Sequence, residues 1–369
     1  MIIRKNKKII VAMSGGVDSS VTAWILKNKK YEVEGIFMKN WEEDDTEEYC
    51  NSAKDLFDAI NVCKKLNIYL HKINLSEEYW ETVFKDFLNQ HKQGKTPNPD
   101  ILCNKEIKFK CLFNYAIQEL KANYFATGHY ARIKRKNKQY FLLKGIDVKK
   151  DQTYFLYTLN DIQLEKILFP LGDLKKKEVR RIAEKINLEV ANKKDSTGIC
   201  FIEPKKIKKF LNRYLDDKKG DIVTTSGKII GEHNGLFYYT LGQRKGLRIG
   251  GIKGQYNIPW YVVDKKIKKN ILVVAQGSYN KHLMSIGLIA KNIHWINSKN
   301  KIIYPFSCMI KTRYHQKDIN CSIEYLNNTH IKIIFQNPVP AVTPGQSVVL
   351  YLSEVCMGGG IIESRLPLL

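Results

Sequence analysis

No Cys-x-x-Cys pair occurs in this 369-residue chain, although it holds eight cysteines: Cys50, Cys63, Cys103, Cys111, Cys200, Cys308, Cys321 and Cys356. A zinc ribbon and a thioredoxin-type redox pair are thereby disfavoured, and with no secretory context so is a disulfide framework. Long apolar runs are missing too. The short basic segment Met1–Lys8 is followed by Ile9–Met13, which ends at Ser14 and is too short for a signal peptide or a membrane span. A soluble, cytoplasmic protein is expected. Neither an internal repeat nor a low-complexity linker interrupts the chain. Acidic residues are scarce, 37 against 61 lysines and arginines, leaving a net charge of +24 that would attract a polyanion such as nucleic acid. Solvated, lysine-rich faces would produce the same excess, so charge alone does not choose a partner.

The length points to two or three domains. Short apolar runs alternate with amphipathic ones from Lys8 to Ile73, a βαβαβ rhythm that predicts a mainly parallel sheet covered by helices. Helical patterns follow over Glu77–Gln90 and Glu106–Leu120, with a strand at Tyr124–Thr127. After about Lys209 the texture becomes turn-punctuated β, with segments expected at Gly220–Val223, Lys228–Gly231 and Leu236–Leu241. From Ser285 onward strands alternate, which predicts a β-barrel or sandwich. The expected fold is an α/β domain over 1–209, a small β-containing domain over 210–284 that acts as a linker, and a C-terminal β-barrel over 285–369.

The strongest motif is Ser14-Gly15-Gly16-Val17-Asp18-Ser19-Ser20, placed directly after a predicted strand and opening a predicted helix. Two glycines let the backbone approach an anion, helix-start amides donate to it, and serine hydroxyls add donors. The Gly-Lys-Ser/Thr ending of a Walker loop is absent here, which disfavours kinase-like γ-phosphate transfer. The loop is similar to those of enzymes that split ATP into AMP and pyrophosphate, and that likeness makes Asp18 the expected helper of a magnesium ion.

Two cysteines stand in suggestive surroundings. Cys103 lies in Thr96-Pro97-Asn98-Pro99-Asp100-Ile101-Leu102-Cys103-Asn104, between a proline-stiffened loop and a predicted helix start, with Lys105 nearby. Both neighbours would favour the reactive thiolate. Cys200 lies in Asp195-Ser196-Thr197-Gly198-Ile199-Cys200. Read alone, each is better explained as a small buried hydrophobe than as a catalytic group.

Taken in order, SGGVDSS, GIFMKNW (35–41), TPNPDILCN, ATGHYAR (126–132), KDQTYFL (150–156) and DSTGICFI form six blocks. Together they resemble the tRNA-specific 2-thiouridylases of the PP-loop ATP pyrophosphatase superfamily. The likeness runs on through GQRKGLRIGG (242–251), PWYVV (259–263), Lys311–Tyr314 and PGQSVVLY (344–351). Ala12, where a glycine is common, is a small departure. The resemblance implies an adenine-nucleotide α-hydrolase-like first domain. ATP, with Mg2+ and no tightly bound metal, would be held by Ala12, Met13, Ser14, Gly15, Gly16, Val17, Asp18, Ser19, Met38 and Gly128. Asn98, Pro99 and Asp100 would surround the target uridine. His129, Lys150, Asp151, Gln152, Arg313, Tyr314 and Gln346 would touch the tRNA, and the middle domain would add contacts. Cys103 would be the nucleophile and Cys200 the persulfide carrier, the two closing a transient Cys103–Cys200 disulfide. Asp100 is either general base or orienter of the base. Lysine, glutamate and glutamine acceptors are the expected tRNAs. Sulfur would arrive from a relay protein such as TusE, fed by a cysteine desulfurase.

Those parts fit one chemistry. A uracil carbonyl is a poor electrophile, so its oxygen must first become part of a good leaving group, AMP, before sulfur displaces it. Two rival readings use the same residues: a small-molecule ATP-dependent synthetase with inert cysteines, and a non-catalytic RNA binder that keeps ATP as a structural ligand.

Overall fold

A computed structural model describes residues 7–42, 52–195, 210–250, 258–297 and 302–368. The first sheet is parallel throughout. Its strands β1 (Lys8–Ala12), β2 (Glu32–Lys39), β3 (Leu70–Asn74), β4 (Tyr124–Ala126) and β7 (Ile167–Leu168) lie in the order β3-β2-β1-β4-β7. Central β1 reads as an unbroken apolar run because helices cover both faces. Ile9, Ile10 and Val11 are wholly buried, each contributing about 1.5–3 kcal/mol of burial. Helix α1 (Val17–Asn28) and helix Lys176–Lys185 share one apolar core with Val33, Phe37 and Cys63. The helical stretches 76–92 and 99–119 share a second core with Trp41, Phe125 and Ile167. Helix α2 (Ser52–Leu66) packs beside α1.

The middle sheet joins β8 (Gly220–Thr224), β9 (Ile229–His233), β10 (Trp260–Lys266) and β11 (Ile271–Gln276) in the order β10-β11-β8-β9. Residues Leu236–Tyr238, expected as strand, form a 3-10 turn instead. The run Leu236-Phe237-Tyr238-Tyr239 is apolar enough to read as β, yet it buries Leu236 and Tyr239, three residues apart as a 3-10 turn requires.

The C-terminal barrel is closed and antiparallel. Strands β12 (Met284–Trp295), β13 (Phe306–Lys311), β14 (Ile319–Asn327), β15 (His330–Pro340), β16 (Ser347–Leu352) and β17 (Val355–Pro367) run β12-β15-β14-β13-β16-β17, and β17 pairs back onto β12. Closure leaves no open edge on that ring. The hairpin β5 (Ala131–Lys136) and β6 (Gln139–Lys144), from the first half of the chain, adds to β17 through Val355–Leu143 and Cys356–Leu142. Buried Tyr154 and Tyr157 tighten that junction, their hydroxyls reaching Ser347 O at 2.8 Å and Ser347 Oγ at 3.2 Å. The nucleotide-type sheet and the barrel are therefore fastened together.

Candidate active site

Strand β1 has β2 on one side and β4 on the other, so the strand order reverses there, and sheets of this kind take their ligands beyond the carboxyl ends of the strands at such a point. The loop after β1 lies at that end of the sheet. Met13 N–H donates to Ile36 O at 2.8 Å, the Ser14 amide and hydroxyl each lie 3.2 Å from Ser19 Oγ, and the Ser19 and Ser20 hydroxyls donate to Gly16 O at 3.1 and 2.8 Å. Gly15 has φ +69°, and a Cβ there would lie 2.2 Å from Asp55 O, so both the turn and the packing against α2 require glycine. Gly128, just past β4, sits so close that a Cβ would be 2.9 Å from Asp18 C and Ser19 N. Met38 lies two residues beyond Ile36, the partner of Ala12, at the same edge of the sheet. Ala12 to Ser19, Met38 and Gly128 thus all lie toward the carboxyl end of the first sheet, with Gly128 packed on Asp18 and Ser19.

Asp18 is the hub of an ion network. Tyr130 OH donates to its Oδ1 at 2.8 Å, and Lys176 Nζ reaches both carboxylate oxygens at 2.8 and 2.7 Å. Burial, and then the Asp18 charge, push the Tyr130 phenol far up, so it remains a neutral donor. The same ammonium lies 2.7 Å from Asp195 Oδ1, and Asp195 also takes Lys150 Nζ at 2.6 Å and Arg180 at 2.9 Å. Burial alone would raise the Asp195 pKa, but the Lys150 and Lys176 hydrogen bonds prevail and hold it below the ordinary 3.8. Lys193 Nζ ties Gly15 O at 3.0 Å to Asp55 at 2.7 Å and to Asp58.

A phosphate chain fits this cradle: glycine-lined, hydroxyl-bearing, with no side chain capping the first turn of α1. A magnesium ion on Asp18 fits less well. Both carboxylate oxygens carry the Lys176 ammonium, and among the described residues no group of three His, Cys, Asp or Glu side chains is arranged to hold a metal.

The second group lies on the segment 94–104. Asn98 precedes the helix, Pro99 occupies its first turn, and Cys103 sits one turn in, where the helix widens to a π-type segment, Cys103–Leu112. The helix start was expected after Cys103; it comes before it, because Pro99 suits the first helical position. Lys105 is half exposed and pairs with Glu106 at 3.0 Å. Cys103 is only 1% exposed, and the neighbouring Asn104 Oδ1 is buried without a hydrogen-bond partner among the described residues. Asn98, Pro99 and Asp100 are half-buried. Cys200, and with it the expected Cys103–Cys200 pairing, lies outside the described residues.

Of the residues expected on tRNA, the structure brings 150–155 beside 313–314. Tyr314 OH reaches Lys150 O at 3.4 Å, and its ring centre is 4.5 Å from that of Phe155. Several polar groups in the set are engaged inside the protein. Asp151 is buried and accepts from Gly145 N–H at 3.1 Å and Thr153 Oγ1 at 2.9 Å; Gln152 Oε1 accepts from Tyr130 N–H at 2.9 Å. Arg313 donates to Leu241 O, Ala341 O and Thr343 Oγ1, and Gln346 donates to Thr96 O and Pro97 O. His129 lies 2.7 Å from Thr127 Oγ1 against the Phe109 ring; desolvation, then the Lys108 charge, hold its pKa well below 6.5.

Sequence reading missed Lys176, Lys193 and Arg180. Tyr130 and Asp195 at least belonged to motif blocks, whereas Lys176 sits in Lys175-Lys176-Lys177, a run that reads as a solvated face. Only its 11% side-chain exposure gives it away.

A parallel sheet with a glycine–serine anion loop at its switch point defines a nucleotide-binding domain of the HUP type. The family description "tRNA methyl transferase HUP domain" matches residues 7–204, "tRNA methyl transferase PRC-barrel domain" residues 208–276, and "Aminomethyltransferase beta-barrel domain" residues 285–362. A protein of Buchnera aphidicola subsp. Acyrthosiphon pisum named tRNA-specific 2-thiouridylase MnmA is 73% identical over 369 residues, 100% of each chain. A protein of the same name from Salmonella typhimurium is 57% identical, with 98% of each chain covered. The chain belongs to the tRNA-specific 2-thiouridylase family.

Proposed function

We propose that this protein catalyses ATP-dependent 2-thiolation of the wobble uridine, U34, of tRNA, releasing AMP and pyrophosphate. The reading is carried by an anion cradle at 12–19 and a separate clamped segment that bears Asn98, Pro99, Asp100 and the buried Cys103, in a chain alike over its whole length to proteins named 2-thiouridylase. In this reading the chain divides at 1–209, 210–284 and 285–369. The cradle holds the triphosphate, so that the uracil O2 attacks the α-phosphorus and pyrophosphate leaves; the adenylated oxygen then departs as AMP when sulfur attacks C2. Magnesium would supply charge neutralisation for the phosphates. Since Asp18 already carries Lys176, no step is assigned to an ion on that side chain.

Sulfur would come from a persulfide on Cys200, loaded by a relay protein fed from a cysteine desulfurase. Cys103 either attacks the Cys200 sulfur first, closing the Cys103–Cys200 disulfide and expelling the terminal sulfur as the nucleophile toward C2, or closes that disulfide after the intact persulfide has attacked C2, leaving the outer sulfur on the base. Asp100, half-buried beside the loop, accepts a proton or orients the base. An unpaired anticodon base is already out of the duplex and needs little unstacking. The basic surface, net charge +24, suits the tRNA backbone, with lysine, glutamate and glutamine acceptors as the expected substrates.

The test is to incubate the purified protein with unmodified glutamate- or lysine-accepting tRNA, ATP, magnesium and a sulfide source, and to analyse the digested nucleosides by mass spectrometry. ATP-dependent 2-thiouridine at position 34 is the expected product. AMP release with no thionucleoside, from sulfide and from a persulfide-loaded carrier alike, would overturn the reading.

A further inference from the structure

We propose that Cys308 and Cys321, facing each other on neighbouring strands of the barrel, are a modification site for hydroperoxides, closing to a reversible disulfide that staples β13 to β14. The site lies in the barrel wall and is independent of the functional reading above.

Strands β13 and β14 are antiparallel, and Cys308 stands directly opposite Cys321 in their register. Residues opposed in this way have Cα atoms about 4.5–5.5 Å apart and side chains on one face of the sheet. A disulfide spans Cα separations of about 4.4–6.8 Å, so the backbone is already placed for the bond. The sulfurs are in contact as well. One Sγ lies 3.8 Å from the other, as in a thiol–thiol hydrogen bond, and Cys321 Sγ lies 3.5 Å from Cys308 O. Rotation about the two Cα–Cβ bonds is the movement that brings the sulfurs to the bonding distance of about 2.05 Å.

Reach to solvent is narrow. Cys308 and Cys321 keep 7% and 6% exposure, against 1% for Cys63 and Cys356, and both belong to the lining of a hollow of about 520 Å3 that they share with Ser307, Asn320, Ser322 and Gln336. A hydroperoxide as small as hydrogen peroxide fits such a space. The hydrogen bond with Cys321, and then burial, push the Cys308 thiol far up, so it is protonated at neutral pH. Protonated thiols are poor nucleophiles, and the pair therefore responds to sustained oxidant rather than to a brief pulse.

The peroxide is the only co-reactant the step needs. One sulfur, as its thiolate, attacks the O–O bond and becomes a sulfenic acid, while the departing hydroxide takes up the thiol proton and leaves as water. The second sulfur attacks the sulfenic sulfur; the S–S bond forms as the S–OH bond breaks, and the second thiol proton departs in another water. Two thiols are oxidised and one peroxide is reduced. The bridge ties together two strands whose connecting turn, 312–318, carries Arg313 and Tyr314, and so restrains opening of that hairpin.

The test treats the reduced, full-length protein with hydrogen peroxide, caps the remaining thiols with N-ethylmaleimide in denaturant, digests with trypsin and reads the peptides by mass spectrometry. Lys311, Arg313 and Lys317 lie between the two cysteines, so cleavage leaves them on separate peptides unless a disulfide joins them. The expected result is a joined Cys308–Cys321 peptide pair that dithiothreitol abolishes, with amide exchange over residues 306–323 slowed about tenfold in the oxidised protein. Cys308→Val, which fills the same wall without a thiol, is expected to give neither effect. The wild-type measurement stands by itself if that variant does not fold. Three results would each overturn the proposal: both cysteines recovered capped after half-buried Cys111 has been oxidised, sulfinic acid on either in place of the disulfide, or a joined pair with unchanged exchange.

Discussion

Replacing Lys176 by methionine keeps the side chain's bulk and removes its charge, which isolates what the ammonium does between Asp18 and Asp195. The ammonium is 11% exposed and lies 2.7 Å from each carboxylate, whose side chains are 31% and 27% exposed. A charge-assisted hydrogen bond contributes about 1.5–3 kcal/mol, and partial solvent access at both acids reduces that. Asp195 keeps Lys150 and Arg180 after the change, whereas Asp18 keeps only Tyr130 among the contacts described. A net loss of about 2 kcal/mol follows, concentrated at Asp18, which for a domain of this size lowers the melting temperature by about 4–8 °C. Ligand binding should fall too. An uncompensated carboxylate beside the anion cradle repels phosphate, weakening ATP binding about tenfold without divalent cation, with partial recovery when magnesium is added. Differential scanning calorimetry and titration calorimetry with and without magnesium measure both effects. A melting temperature within about 1 °C of wild type, together with unchanged metal-free ATP affinity, would refute the reasoning, because Lys176 could not then be neutralising Asp18 in solution.

Cys103→Ser and Cys200→Ser are each expected to abolish 2-thiouridine formation while ATP binding, followed by calorimetry, stays within about twofold. Retained product with either variant removes that cysteine from the mechanism. Gly15→Ala forces a left-handed backbone on alanine and drives Cβ to 2.2 Å from Asp55 O, so it should cost more than about 2 kcal/mol and weaken ATP binding. Gly227→Ala is the control: φ there is +88° but nothing lies within 4 Å, so the cost is only the conformational about 1 kcal/mol. His129 is desolvated and faces the Lys108 charge, so its folded pKa lies well below the ordinary 6.5. The unfolded chain then binds the extra proton first, and stability is lost as pH falls below about 6.5; chemical denaturation across pH 5–7 should show a slope that His129→Asn reduces. A ring that titrates near 6.5 by NMR would contradict this.

The nucleotide cradle was legible in the sequence because its parts are neighbours in the chain. Strand, glycine turn, serines and helix start all lie within residues 8–20, and local sterics and hydrogen bonding suffice to define them. Fold class was equally readable, since a parallel buried sheet and an alternating barrel impose different apolar periods. Other features had no local signature. The widened helix that takes in Cys103, and the tight turn at Leu236–Tyr238, follow from packing that competes with pattern. The β5–β6 hairpin carries no mark in its own residues that it will extend a barrel built from residues 284–367.

What the sequence by itself determined is the kind of chemistry available: an anion loop, two cysteines in distinct motifs, and a basic chain of three fold types. Tertiary structure alone decided the partners. Lys176 meets Asp18 across 158 residues and Gln346 meets Thr96 across 250. Such pairs arise only after separately folded layers dock, because a charge or an amide declares its need for a partner in the sequence but not which distant group will be brought within 3 Å to meet it.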